Sequence, residues 1–242
     1  MSSEKKERSF VIDAIILCVI TLVLGGILAG VYTMTKGTIA QRQADTDSKA
    51  CEKVIASVDG ATVADAGDDA VAQANDFLTK HILNSSKEVE EEQSESYSKY
   101  VNVTTVKKLQ VNGSDAGYVY IADAKKGYGG SISFVLGVYN GTVTGIEITS
   151  QSETAGLGAN CESDSFKNKF ALDKGLQYPS SDEIPMFYKA GTTPKDEKGQ
   201  IEAMSGATVT SRAIANAVKG ILYYDKELSL IHISEPTRLG MI

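Results

Sequence analysis

The chain has 242 residues, enough for one domain of ordinary size, or two small ones, and an appendage. Its 42% of hydrophobic residues permit a packed core. With 31 acidic against 24 basic side chains, the formal net charge of -7 argues against a nucleic-acid binder, which would show a basic face. Three cysteines and two histidines exclude a four-cysteine iron–sulfur site, a histidine-rich metal centre and a disulfide scaffold, so no metal ligand and no catalytic residue is assigned.

At the amino end, residues 1–9 carry Lys5, Lys6 and Arg8, diluted by Glu4 and Glu7. Residues 10–34 then read FVIDAIILCVITLVLGGILAGVYTM, with no charge between Asp13 and Lys36. About 20 such residues, each rising about 1.5 Å, cross roughly 30 Å of hydrocarbon, so 10–34 is expected to be a transmembrane anchor. Gly25, Gly26 and Gly30 are tolerated in a membrane helix, and Cys18 reads as one of its small apolar residues. A cleaved signal peptide competes with this reading, but its apolar region normally runs about 7–15 residues and ends in a small-residue site, which this stretch lacks. The basic cluster keeps residues 1–9 in the cytoplasm and places everything beyond about residue 35 outside it.

Residues 35–96 are expected to form a helical stalk and the first part of the soluble domain, with 38–60 helical until Asp59-Gly60. In Asp68–Leu83, Val71, Ala74, Phe77 and Leu78 recur at three- and four-residue steps and predict a second helix, with His81 on its surface. Lys87–Glu95 (KEVEEEQSE) reads as a solvated acidic loop. Strands dominate the start of the main domain, 97–227. Tyr118–Ala122 is rich in β-formers, and KKGYGG (125–130) is a turn. Ile132, Phe134, Leu136 and Val138 alternate with period two, and Asn140-Gly141 is a strong hairpin signal before the partner strand Thr142–Ser150. Thr144 and Ser150 share a face with Ile146 and Ile148, so that side is expected to be partly open.

Ser163–Lys174 is predicted helical, with Phe166 and Phe170 one turn apart. Thr210–Tyr224 is a stronger prediction: Ala213, Ile214, Ala217, Val218, Ile221 and Leu222 form a buried stripe, with Arg212, Asn216 and Lys219 elsewhere on the surface. Strands and helices do not alternate regularly, which predicts an α+β fold with an antiparallel sheet. From Leu228 the chain reads LSLIHISEPTR, which resembles a translated adapter sequence; residues 228–242 are expected to be a non-native tail, and His232 is given no role.

Ser205-Gly206-Ala207-Thr208 and Val209-Thr210 stand just before the last predicted helix. A small glycine-containing loop lets the chain approach a bulky group, and a helix amino end offers free N–H groups and a positive dipole to a phosphate. Thr208 or Thr210 serves equally well as an ordinary N-cap, so the residues alone leave both readings open.

SGATVT resembles the flavinylation motif of the RnfG/NqrC family, the FMN-bearing subunits of the Rnf ferredoxin:NAD+ oxidoreductase and of the sodium-translocating NADH:quinone oxidoreductase. The resemblance implies a covalent FMN on Thr208 through a phosphoester, framed by Ser205, Gly206 and Ala207. A second family-like signature, Glu153-Thr154-Ala155-Gly156-Leu157-Gly158, implies a loop close to the flavin, with Glu153, Thr154, Gly156, Leu157 and Gly158 as cofactor-binding residues. Backbone N–H groups at Gly156 and Gly158 are then expected to approach the isoalloxazine ring, and Tyr128 is weighed as a ring neighbour against a core or rim position. Six residues before Thr208 the family usually has Asp; Glu202 stands here as the flavinylation-recognition residue.

The resemblance covers Phe10 to Tyr224. It implies a single-pass protein of the cell membrane with an extracytoplasmic domain, an electron-transfer subunit of the Rnf type that is not catalytic alone. Its implied partners are the other membrane and redox subunits of such a complex, membrane lipid, and a flavin transferase for maturation. An NqrC-type subunit, a stand-alone FMN carrier and a cofactor-free extracytoplasmic binding module are the competing functions. Cys161 is expected to be a free surface thiol or a partner of Cys51.

Overall fold

The computed structural model describes residues 3–67, 69–83 and 95–234, with side chains over 12–67, 69–82 and 95–228. Most of the acidic loop and the tail beyond Ser234 lie outside the described residues, as does the His232 side chain. The chain divides after Thr46 into two units. Helix α1 (Ser3–Ile55) begins in the first unit, where it presents Ile12, Leu17, Leu22, Leu28 and Met34 outward, all more than half exposed. Large apolar side chains facing outward along such a helix suit hydrocarbon and not water, and the part of α1 in the first unit holds the membrane-spanning anchor.

The second unit begins at Asp47 and is built on a five-stranded antiparallel sheet. Its strands are β1 (Ala61–Asp65), β4 (Val101–Val111), β5 (Ser114–Ala124), β6 (Ile132–Tyr139) and β7 (Thr142–Ser150), in the order β1-β4-β5-β6-β7. Two hairpins set the register. Asn112-Gly113 joins β4 to β5 and Asn140-Gly141 joins β6 to β7, each pair with both φ angles positive, the geometry that matches strand twist. The predicted strand at Tyr118–Ala122 is the inner half of β5, while β4 escapes the pattern because Lys107 and Lys108 interrupt its alternation.

Both faces of the sheet are covered. On one, Ala50, Cys51, Val54 and Ile55 of α1 pack on Leu109, Val119, Ile121 and Val135. The expected shared face does not form: a register irregularity at Gly137/Val138 turns Thr144 toward α1, while Ile146 and Ile148 are buried on the opposite side and Ser150 stays exposed. Thr144 is buried, and its hydroxyl donates to the Val54 carbonyl at 2.5 Å, satisfying one of the acceptors a helix leaves over at its end. The helix comes this close because Gly137 pairs with Gly145 beneath it; a Cβ at Gly137 would stand 3.1 Å from the Val54 oxygen. Lys53 adds an ion pair to Glu147 of β7 at 2.7 Å.

The opposite face holds the larger core. Phe134, Leu136 and Tyr120 of the sheet meet α2 (Asp69–Lys80), the turns after residue 158, and α4 (Thr208–Ser234). Ile214, Ala217, Val218, Ile221 and Leu222 of α4 are buried as their spacing predicts. Asn216 and Lys219 are buried too, against expectation. Lys219 Nζ donates to the carbonyls of Asp182 (2.6 Å) and Ile184 (2.9 Å), partners that only the tertiary fold brings within reach. Burial pushes its amine down to about 8.

The predicted Ser163–Lys174 helix is instead a single α-turn, α3 (Asp164–Lys167), followed by 3-10 turns at 168–170 and 172–174. Ala171 is extended and breaks the run, while Phe166 and Phe170 still meet edge to face with centroids 5.5 Å apart. Two small ladders complete the domain: β2 (Ile82–Leu83) with β3 (Glu95–Ser96), and β8 (Phe187–Tyr188) with β9 (Ile201–Glu202). The predicted second helix thus stops at Lys80, and His81 is half-buried, stacked on Phe77 at 3.8 Å.

Candidate functional site

Three short segments converge at the amino end of α4: the 127–130 turn, the 153–158 loop and the 204–208 loop. The last is shaped by Ser211, whose Oγ accepts from the Met204 N–H at 2.8 Å and donates to the Ala207 carbonyl at 3.0 Å. Gly206 takes φ +74°, and a Cβ there would stand 3.2 Å from Leu157 Cδ2, so the tip of the 153–158 loop rests on this turn. Ala207 is buried, whereas Ser205, Gly206 and Thr208 are exposed.

Thr208 is the first residue of α4, and its side chain is exposed beside the helix amides that no earlier turn engages. Two apolar side chains are also left in the open here, Leu157 (46% exposed) and Val209 (39% exposed). Thr210 is not the N-cap that its position in the sequence suggests. It is the third residue of the helix, fully buried, and donates to Glu153 Oε2 at 2.6 Å.

Within 153–158 the residues divide by direction. Thr154, Gly156 and Leu157 are exposed, while Glu153 and Gly158 turn inward. Glu153 Oε1 accepts from the Gly129 N–H at 2.9 Å, and its own N–H donates to Gln151 Oε1 at 2.6 Å. The Thr154 carbonyl closes the loop by accepting from Leu157 (3.1 Å) and Ala159 (3.2 Å). A Cβ at Gly158 would overlap the Glu153 carboxylate and stand 2.5 Å from Thr210 Oγ1, so this glycine serves an internal approach. Tyr128, 75% exposed, sits on the rim and not in the core.

Glu202 lies on β9, partly exposed. It accepts from the Gly191 N–H at 3.2 Å and pairs with Lys169 at 3.7 Å. Sequence reasoning missed Gly129 and Ser211 in this assembly, because their partners are distant in the chain or in the ordinary backbone of a turn.

The two thiols of the domain contribute nothing to the surface. Cys161 is fully buried, and burial, with Glu162 and Glu153 nearby, pushes it up to about 11. Cys51, on α1, is buried against the sheet in a different core cluster from Cys161, and both are free, which overturns the surface-thiol and disulfide expectations. Among the described residues, no group of three or more metal-ligating side chains occurs. Two cavities of about 420 Å³ flank the β6–β7 hairpin near Asp225 and Tyr178, remote in sequence from the Thr208 loop.

Comparison with known proteins gives two family matches: an FMN-binding domain over residues 127–223 and the RnfG N-terminal region over residues 1–54. The G subunit of the proton-translocating ferredoxin:NAD(+) oxidoreductase complex of Clostridium ljungdahlii is 39% identical over 105 residues, 42% of this chain and 49% of that one. The G subunit of the Na(+)-translocating ferredoxin:NAD(+) oxidoreductase complex of Acetobacterium woodii is 28% identical over 219 residues, 89% of this chain and 91% of the relative. The chain thus spans about half the length of the first relative and most of the second. Among solved structures, NqrC of Shewanella oneidensis is similar at 16% identity and a TM-score of 0.46, covering 74% of this chain and 88% of that one. The C subunit of the Na(+)-translocating NADH-quinone reductase of Parabacteroides distasonis is 25% identical with a TM-score of 0.38, over 49% and 61%.

Proposed function

The chain belongs to the RnfG/NqrC family, with an FMN-binding domain behind a membrane anchor, and from that premise we propose that it is the Rnf-type electron-transfer subunit, holding FMN covalently on Thr208. The observation that carries this reading is the exposed Thr208 hydroxyl on the first residue of α4, set on the left-handed turn of Gly206 between exposed Leu157 and Val209. These residues fit the group. The hydroxyl is a point of attachment, the helix amino end favours a phosphate, and the two apolar side chains offer a surface for a flat ring. Bound there, FMN supplies one-electron transfer, and the protein supplies placement and electrostatics.

Thr208 makes the phosphoester by attack of its Oγ on the flavin-side phosphorus of FAD. An O–P bond forms, the pyrophosphate linkage breaks, AMP leaves, and the hydroxyl proton passes to a base. The Glu153 carboxylate is engaged by Thr210 and Gly129, so the base falls to the flavin transferase. Glu202 is proposed to contribute to recognition by that transferase, with Lys169 and Gly191 holding the carboxylate on β9. The partners proposed are the remaining membrane and redox subunits of an Rnf-type complex, and lipid around α1. The Rnf assignment is supported by the match of residues 1–54 to the RnfG N-terminal region.

Intact-mass analysis and peptide mapping test the attachment. The full chain matured with transferase and FAD is expected to gain one FMN on the peptide containing Thr208, and without transferase none. An FMN-modified peptide in Thr208→Ala overturns the assignment.

A further inference from the structure

We propose that Glu153 is a positioning residue and not a flavin contact: its buried carboxylate binds the 127–130 turn and the first turn of α4 together, and so fixes the direction of the Thr208 hydroxyl. This rests on Thr208 as the attachment residue and adds what holds that residue in place. Both carboxylate oxygens are used inside the protein, Oε1 by the Gly129 N–H at 2.9 Å and Oε2 by the Thr210 hydroxyl at 2.6 Å. The second distance lies at the short end of the range for a hydroxyl hydrogen bond. The carboxylate's position at the positive end of α4 suits a negative group.

The glycines around it follow from the same need. A Cβ at Gly127 would stand 2.6 Å from Oε1, and one at Gly158 would overlap Oε2. The glycine spacing of KKGYGG and of the 153–158 loop therefore closes the chain around a carboxylate. The link to Thr208 is geometric. Two residues apart on a helix are separated by about 200° of rotation, so holding Thr210 inward turns Thr208 outward. The bond is thus a rotational stop for the helix end, while Leu157 packed over Gly206 limits its tilt.

The test compares Thr210→Val, which keeps the shape and deletes the donor, with Thr210→Ser, which restores it, in the full chain. The initial rate of FMN transfer from FAD by the transferase is followed by intact mass as protein concentration is varied. Misdirection of a reacting group by a fraction of an ångström to about 1 Å is expected to lower kcat about tenfold or more in Thr210→Val with KM unchanged, and Thr210→Ser is expected to recover most of it. Thr210→Ala, which adds no atoms to the site, gives the same loss and decides the matter if the valine variant does not fold. Transfer at the wild-type kcat in the folded Val or Ala variant, or a loss that Ser does not repair, overturns the positioning role. A wild-type chain without an adduct, or an adduct retained in Thr208→Ala, overturns the Thr208 reading instead.

Discussion

The two ends of α4 are built on different physics. At its start, Thr208 and Val209 are exposed beside glycine loops, with one buried carboxylate beneath. About 25 Å along the helix stand Asp225 and, closer in, Lys219, both buried, among Tyr120, Tyr178 and Tyr224. Two cavities and two strongly displaced titrations lie at this second end. Such features usually point to function. Here the buried Lys219 and Asp225 are held by contacts within the domain, whereas the proposed attachment site needs no such enclosure: a tether covalently fixed to a hydroxyl requires access and direction.

The sharpest way to break this contrast is Thr208→Ala. It is expected to abolish the FMN adduct completely while leaving the thermal midpoint unchanged, since the side chain is exposed. Thr208→Ser is expected to keep part of the adduct, both read by intact mass and melting.

At the other end the order of effects reverses. Lys219→Ala leaves two carbonyl oxygens without their donor and a hole in the core, at a cost of about 3–5 kcal/mol by denaturant unfolding, with attachment at permissive temperature retained. The amine also sets a pH signature. Its folded value, about 8, lies below the ordinary 10.5, so the unfolded chain binds more protons between them and stability is expected to rise with pH from about 8 to 10. Above that the buried tyrosines oppose it, because burial raises Tyr97, Tyr120 and Tyr178. Lys219→Met is expected to flatten the rise.

Asp225 acts in the acid range. Burial, against the hydrogen bond from Tyr120 at 2.9 Å, pushes it up to about 6 from 3.8, so the folded chain binds more protons between these values. Its contribution is full below about pH 4 and is lost as pH rises through 6, on the order of 3 kcal/mol in all. Asp225→Asn is expected to remove that slope and to be more stable than wild type at about pH 7, which urea unfolding from about pH 4 to 7 measures. Smallest of all is Thr210→Ala, at about 1–3 kcal/mol for the buried bond lost to Glu153. A large fall in its melting point would mean that the first end, too, is mainly structural.

The sequence made some of this plain and hid the rest for identifiable reasons. Asn140-Gly141 and the apolar stripe of α4 are local signals, and both elements stand where those signals place them. Lys107 and Lys108 concealed β4 because a strand with one polar stretch breaks its own alternation. Lys219 looked like a surface residue because the carbonyls that receive it are 35 and 37 residues away. Thr210 illustrates the limit most clearly. A cap and an inward hydrogen bond place the same residue type at nearly the same position, and only Glu153, 57 residues earlier, distinguishes them. The SGAT and ETAGLG segments were legible as a resemblance, not from spacing or hydropathy.

Residues 47–55 of α1 have a consequence for how the domain can be released from the membrane. Ala50, Cys51 and Val54 cover Leu109, Val119, Ile121 and Val135, so these turns belong to the folded body although they continue the anchor helix. A protease that cuts between 35 and 46 is expected to shed an intact domain, still able to carry its load in solution. A cut after Ile55 strips the sheet of its cover and yields a fragment that aggregates through the bared face.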